Sequence, residues 1–407
     1  MLSGRRWPGI GANLLLLLGS TLFVFFLCEL GARLFLPPQQ TVRVIQTRPE
    51  SGESYARVDT REESSINSVI LFGGHRGVRL RPNTRAQIVN HTLSKRDVLI
   101  EVNSTGLRYP ELGQKTEDEF RVLVLGDSIT LGDFVPEDET FTRQLEKLTS
   151  GRSKKIHFIN AGLPGAGTME ELYLYEEVRD RVQPDLVLVA MYLNDAQTAG
   201  EFYVRSIPPP FSRSRFLAWA ANRVQLVGKT FFREGGARIN PKWRESFRAG
   251  RALKSGDMFG SKDGFDFEIY NAYMDFGLAW NPRSWEILDG VVASLQQETR
   301  QKGTPLAILL FPVHIQVLGS YEDHWPQDRC RELCARRGIP YLDPLPALRA
   351  DWQAKKDRQA YDPRTGLVPP SASTKLFYDH CHYTPYGYTV VAREIVAGLD
   401  REKLVPK

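Results

Sequence analysis

The sequence predicts an α/β domain in which a parallel sheet is covered by helices on both faces. Five short, almost wholly apolar runs recur at Val122–Leu125, Ile156–Ile159, Leu186–Met191, Leu306–Phe311 and Ile339–Leu342. Segments with helical spacing alternate with them at Thr140–Leu148, Glu170–Val182, Trp285–Gln301, Arg329–Arg337 and Tyr388–Leu399. Strands buried on both faces lose the two-residue alternation of half-exposed ones, and alternation with helices is the mark of parallel crossovers. The first run stops on Gly126-Asp127-Ser128, a strand-to-turn junction at the carboxyl edge where such sheets collect their ligands.

The 407 residues are 42% apolar and 25% charged, enough for a sizeable core, and length alone allows two domains or one with insertions. A net charge of +5, without a basic run or an aromatic RNA-binding motif, argues against a nucleic-acid partner. Of the four cysteines, Cys28 lies in the apolar leader. Cys330, Cys334 and Cys381 are odd in number and imply no closed disulfide framework. Cys330 and Cys334 stand four apart in a predicted helix, on one face, and the cysteine and histidine spacing does not match structural zinc. No metal ion and no cofactor is expected.

The leader is nearly uncharged from Ile10 to Cys28, about the length a helix needs to cross a hydrocarbon core. Arg5 and Arg6 precede it as they would in a signal sequence, but Glu29, Leu30 and Arg33 follow where a cut site needs small residues. An uncleaved anchor over residues 1–38 is therefore expected, with a cleaved signal peptide as the alternative. Glu29 and Arg33 are spaced to pair along one helix face. Arg5 and Arg6 compete with Arg33, Arg43 and Arg48 beyond the span, so charge counting leaves orientation undecided.

Residues 39–118 divide into a polar linker to about residue 67 and a small β-rich module from Val78 to Arg108, broken at Pro82-Asn83 and Gly106. Asn90-His91-Thr92 and Asn103-Ser104-Thr105 match the glycosylation acceptor pattern, which chance produces often. The main domain is expected over 119–400, interrupted by an insertion at about 198–283. From Glu201 to Asp257 twelve basic residues face four acidic ones, so the positive charge of the chain is concentrated there. Phe211, Phe216, Trp219, Phe231, Phe232 and Trp243 are interleaved with it. A solvated insertion with its own small core fits this pattern, and so does a cap that meets anionic headgroups or an acidic polymer.

A serine hydroxyl acts as a nucleophile only with a base to take its proton, a carboxylate to orient that base and donors for the oxyanion. Ser128 would emerge at the sheet edge beside the following helix. Near the C-terminus, Asp379-His380-Cys381-His382 puts an acid three residues before a histidine, a spacing that lets the carboxylate approach Nδ1 while Nε2 faces outward. His380 is the alternative base.

Four blocks in chain order resemble the SGNH/GDSL hydrolase superfamily. Val124-Leu125-Gly126-Asp127-Ser128-Ile129-Thr130 matches the nucleophile block, Asn160-Ala161-Gly162 the glycine block, Asn194-Asp195 the asparagine block and Asp379 through His382 the last. The resemblance covers about Arg121 to Ala397 and implies a flavodoxin-like three-layer α/β/α domain. It assigns Ser128, His382 and Asp379 as nucleophile, base and orienting acid, with an oxyanion hole from the Ser128 amide, the Gly162 amide and the Asn194 side chain. Tyr192 stands where the third block usually has glycine, which leaves acyl-chain size open. His314 is a candidate to line the pocket, beside its plainer reading as a structural histidine, and Asp195 a candidate helix cap. The anchored layout resembles bacterial envelope members, which implies a catalytic domain outside the inner membrane.

The expected function is hydrolysis of acyl or acetyl esters on envelope glycans or lipids through an acyl-enzyme on Ser128. The alternatives are transfer of the acyl group to a polysaccharide hydroxyl and a non-catalytic assembly or binding subunit. The membrane and an ester-bearing glycan or lipid are the expected partners.

Overall fold

The computed structural model of the 407-residue chain describes residues 10–35, 41–47, 69–72, 77–91, 93–196, 214–217, 220, 276–317, 324–357 and 375–407. The chain divides into two units, Met1–Gln40 with Arg205–Gly236, and Thr41–Val204 with Ala237–Lys407. Most of the basic, aromatic insertion, including Trp219 and Trp243, lies outside the described residues, as does Thr92 of the first acceptor triplet.

In the first unit the apolar leader forms helix α1 (Ile10–Phe35). Its stretch Asn13–Phe35 is long and apolar enough to cross a bilayer. The helix outlasts the apolar run because Arg33 Nε donates to Glu29 Oε1 at 2.8 Å, the pairing that their spacing predicts.

The second unit opens with strand β1 (Thr41–Thr47), where a linker was expected. It pairs antiparallel with β4 (Thr84–Val89), and a register shift between Val44 and Gln46 interrupts the two-residue rhythm that marks a strand. Between them β2 (Ile70–Phe72) and β3 (Val78–Leu80) form a separate antiparallel pair. β5 (Val98–Val102) completes the three-stranded sheet, its inward residues Val98, Ile100 and Val102 facing the core. Asn103 is spent inside the following turn: Oδ1 accepts from the Thr105 and Leu107 amides at 3.0 Å each, and Nδ2 donates to Pro110 O at 3.2 Å.

The main sheet is parallel throughout. Its strands are β6 (Glu119–Gly126), β7 (Lys155–Gly162), β8 (Leu186–Tyr192), β9 (Leu306–Phe311) and β10 (Tyr341–Leu342), in the order β10-β9-β8-β6-β7. Counted along the chain this is the 2-1-3-4-5 order of flavodoxin-like domains, with the switch point between β6 and β8. β8 and β9 are buried at every residue, as strands covered on both faces must be.

Helices connect the strands: α2 (Ser128–Leu131), α3 (Phe141–Leu148), α4 (Thr168–Val182), α5 (Pro282–Gln301), α6 (His314–Val317), α7 (Trp325–Arg337), α8 (Leu345–Asp357) and α9 (Pro385–Arg401). α3 packs with α9, while α4 packs with α5 and α5 with α7. Each predicted helix is present; α3 starts one residue after its pattern, with Thr140 at its N-cap, and the other four are slightly longer than theirs, while α8, with prolines at its start and largely polar, had no such pattern to reveal it. Cys330 and Cys334 lie buried on one face of α7 as free thiols.

A single guanidinium ties the β-rich module to the turn after β6. Arg108, 1% exposed, donates through Nη1 to Leu131 O (2.8 Å) and Gly132 O (2.6 Å), and through Nη2 to Val135 O (2.9 Å). Arg108→Met keeps the length of the side chain but takes the donor from Val135 O and leaves Leu131 O and Gly132 O with one donor each, Asn160 Nδ2 at 3.3 Å and the Val135 amide at 3.0 Å. It is expected to cost about 1–3 kcal/mol of stability, read as a lower denaturation midpoint at unchanged slope.

Candidate active site

Ser128 is the first residue of α2, delivered by β6 to the carboxyl edge of the sheet at its switch point. Asp127 caps the turn, its Oδ1 accepting from the Ile129 amide at 2.8 Å. The carbonyls of the turn are held from a distance. Tyr388 Oη donates to Ile129 O at 2.6 Å, Asn160 Nδ2 to Thr130 O at 2.8 Å, and Arg108 takes the next two. Two glycines give this turn its room: a Cβ at Gly126 would run into Thr130, and one at Gly162 into the Leu131 backbone. Gly126 thus serves close packing as much as turning.

The loop before α9 supplies the acid and the imidazole. Asp379 Oδ1 accepts from the amides of Cys381 (2.9 Å) and His382 (2.8 Å), which leaves Oδ2 to accept from His382 Nδ1 at 2.8 Å. His382 Nε2 then lies 3.0 Å from Ser128 Oγ. Tyr378 N donates to His382 O at 2.7 Å and closes the loop, and Phe134 meets the His382 ring edge-on at 4.9 Å. Of the two candidate bases the structure brings His382, and not His380, against the serine; the His380 carbonyl instead accepts from the His314 amide at 2.9 Å.

The charges fit these contacts. Burial opposes ionisation of Asp379, but the His382 and His380 charges, the His382 hydrogen bond and the Cys381 amide outweigh it and hold the carboxyl well below its usual range. For His382 burial again opposes the charged form; the Asp379 charge and hydrogen bond win, with help from Asp127 and Asp133, and raise its pKa to about 9. The Cys381 thiol, 3.4 Å from His382 Nδ1, completes a cluster whose ligand atoms lie within 4.8 Å of one another. A cation between Nδ1 and Oδ2 would replace the proton that their hydrogen bond requires.

The remaining sequence candidates fare unequally. Asn194 sits in the 3₁₀ turn that follows β8, at the same sheet edge as Ser128. The Ser128 amide, first in its turn, donates to no acceptor among the described residues. The Gly162 amide is different: it donates to Asn160 Oδ1 at 3.0 Å and is already committed. Three residues on, Gly165 is exposed, and Leu163 N holds its loop to Gly126 O at 2.9 Å. Tyr192 and His314 are both almost closed to solvent. Tyr192 is 1% exposed within fully buried β8, and His314, 3% exposed, braces the acid–histidine loop through its contacts with His380 O.

Sequence reasoning missed several groups near the site. His91, from the β-rich module, approaches Asp133 at 3.8 Å, and the Asp133 carboxyl stays below its usual range because His91, His382 and Arg108 outweigh the effect of burial. Glu171 and Asp195 are buried acids, and burial together with neighbouring carboxylates pushes both well up, toward the neutral form. The cap reading of Asp195 survives in part, since its Oδ2 accepts from the Tyr192 amide at 3.2 Å.

Ser128, Gly162 and Asn194 therefore stand at the ends of the first three core strands, and the Asp379–His382 block returns to the serine from the last loop. The chain has the SGNH hydrolase fold. No family model and no curated protein matches the sequence. Solved structures similar to this SGNH-type domain include an acetylxylan esterase from Geobacillus stearothermophilus, 12% identical over 69% of this chain and 94% of its own, at a TM-score of 0.36. A lipase/acylhydrolase from Enterococcus faecalis is 16% identical over 71% of this chain and 98% of its own, at a TM-score of 0.33.

The electrostatics carry a sign that can be measured. The Asp379 carboxylate favours the imidazolium, so His382 is expected to titrate near 9 in a histidine-resolved NMR experiment. In Asp379→Asn that favourable charge is gone while burial remains, so the midpoint falls. A His382 midpoint unchanged by the substitution would mean that the 2.8 Å contact does not form in solution.

Proposed function

We propose that this chain is a serine ester hydrolase, and the observation that carries the reading is the continuous contact Ser128 Oγ–His382 Nε2 at 3.0 Å and His382 Nδ1–Asp379 Oδ2 at 2.8 Å. In the neutral imidazole Nε2 accepts the Ser128 proton as Oγ attacks the ester carbonyl. Asp379 keeps the other proton on Nδ1 and stabilises the imidazolium that forms. The imidazolium then protonates the departing alcohol, and the same base activates water to release the acid from Ser128. The developing oxyanion is met by the Ser128 amide and the Asn194 side chain. With the Gly162 amide committed to Asn160, the exposed Gly165 amide in the next turn takes the third place.

The substrates that suit this assignment are acyl or acetyl esters of envelope glycans or lipids, with α1 as an uncleaved membrane anchor and residues 119–400 as the catalytic domain outside the inner membrane. Transfer of the acyl group to a sugar hydroxyl uses the same intermediate and is separated from hydrolysis by product: free acid in one case, acyl label on an added glycan in the other.

Ser128→Ala is expected to abolish labelling by a fluorophosphonate probe and to lower ester turnover on the order of 10³-fold or more. Asp379→Asn should retain more labelling than His382→Ala, because the first loses orientation and the second loses the base. Full labelling of Ser128→Ala, or wild-type labelling of His382→Ala, would remove the residue concerned from its role. A screen of the full-length protein in detergent, comparing acetylated sugars with longer acyl esters, identifies the acyl group.

A further inference from the structure

A second charge set among apolar residues lies in α1. Glu29 directly follows the uncharged run Ile10–Cys28 and still lies within the candidate span Asn13–Phe35, about 9 Å along the helix from its end at Phe35. A carboxylate inside hydrocarbon is costly unless it is paired. This one receives four donors. Oε1 accepts from Arg33 Nε (2.8 Å) and the Arg215 amide (3.2 Å), and Oε2 from Ser214 Oγ (2.6 Å) and the Phe216 amide (3.0 Å).

The two amides open a helical turn, Arg215–Leu217, whose third amide is taken by Ser214 Oγ at 3.0 Å. Opening amides have no acceptor within their own helix, so a helix can begin at membrane depth only where something else accepts from them. Glu29 and Ser214 do so here. Arg215 reaches back with Nη1 to Arg33 O at 3.0 Å, in the last turn of α1, where the helix dipole favours a cation. Phe216 packs edge-on against Phe25, near the middle of the span, with ring centroids 6.1 Å apart.

The exposure of α1 records the same docking. Phe25, Cys28, Glu29 and Ala32, at helical spacing, form a covered stripe in which Ala32 is 7% exposed, while Phe26 beside it is 60% exposed. A bare helix would be open all round.

We propose that the stretch around Ser214–Leu217 is a second membrane-embedded segment, held against α1 by Glu29, with the hydrocarbon of the bilayer as the partner of its remaining surface. This rests on the reading of α1 as a membrane anchor. It adds that the chain at Ser214–Leu217 enters the bilayer instead of resting on it, and that Glu29 is the group that lets this backbone do so.

The test uses the full-length protein with Cys28→Ser, reconstituted in vesicles of phosphatidylcholine and phosphatidylglycerol. A bimane label is placed at Phe216→Cys, at Leu217→Cys as a second probe of the segment, or at Phe25→Cys as the reference for the anchor. Cys330, Cys334 and Cys381 are buried, and the labelled Cys28→Ser parent measures their background. Labels at 25 and at 216 or 217 are expected to be quenched by lipids carrying a doxyl group at mid-chain and protected from aqueous iodide. Adding Glu29→Leu should make the label at 216 or 217 several-fold more sensitive to iodide and leave 25 unchanged. If 25 escapes the doxyl lipid, the anchor reading fails and this inference with it. If 25 is quenched by lipid while 216 and 217 respond to iodide, or to neither quencher, the embedded segment is overturned and the anchor stands. Depth unchanged by Glu29→Leu would overturn the tether.

Discussion

The position of Ser128 depends on the capture of one short turn's carbonyls by side chains from distant parts of the chain. A four-residue helix makes too few internal hydrogen bonds to hold its own shape. Here Tyr388 from α9, Asn160 from β7 and Arg108 from the β-rich module take the carbonyls from Ile129 to Gly132 in sequence. Each donor is buried, so none has water as an alternative partner. Tyr388 also lies on the helix that follows the Asp379–His382 loop, so the serine and its base share a support. The β-rich module is accordingly part of the site's foundation and not merely a spacer after the leader.

The charge around His382 follows from the same burial. One imidazole faces the carboxylate of Asp379, with Asp127 and Asp133 adding to the field, and keeps its proton up to a pH of about 9. Below that value the proton lies on Nε2, and the 3.0 Å contact runs from His382 to Ser128 Oγ. Only the neutral form accepts from the serine. The resting arrangement therefore stabilises the state that general-base catalysis produces, and a bound substrate that displaces solvent and alters this field would shift the balance. Glu171 and Asp195, pushed toward neutrality, keep further negative charge out of the same region.

The strands and the four motif blocks were legible because they rest on local pattern: buried strands need uninterrupted apolar runs, and a nucleophile turn needs small residues at a strand end. What was missed depends on contacts across the chain. β1 was hidden by its register shift, and α8 by prolines and a polar surface. Gly162 looked like an oxyanion donor by its place in a block, but its amide already donates to the asparagine two residues before it. Tyr192 and His314 stand at strand ends, where exposure is a fair expectation, yet the packing of the loops beyond them buries both. Nothing in the sequence near Arg108, His91 or Asp133 says which distant groups they meet.

Arg108, buried in the second unit, and Glu29, under the membrane-embedded proposal, go against the same rule, that charges avoid apolar surroundings, and each is accommodated in the same way. Arg108 donates to the carbonyls that close α2, and Glu29 accepts from the amides that open the turn at Arg215. A cation at a helix C-terminus and an anion at an N-terminus both oppose the partial charge of the unpaired backbone groups. The desolvation of each charge is thus offset by polar groups that would themselves be costly to bury unpaired. Such a pairing is directional, since a carboxylate could not replace Arg108 nor a guanidinium Glu29. Apolar contact alone would let either segment slide; a charge matched to one helix end selects a single register. In the second unit that register places the nucleophile.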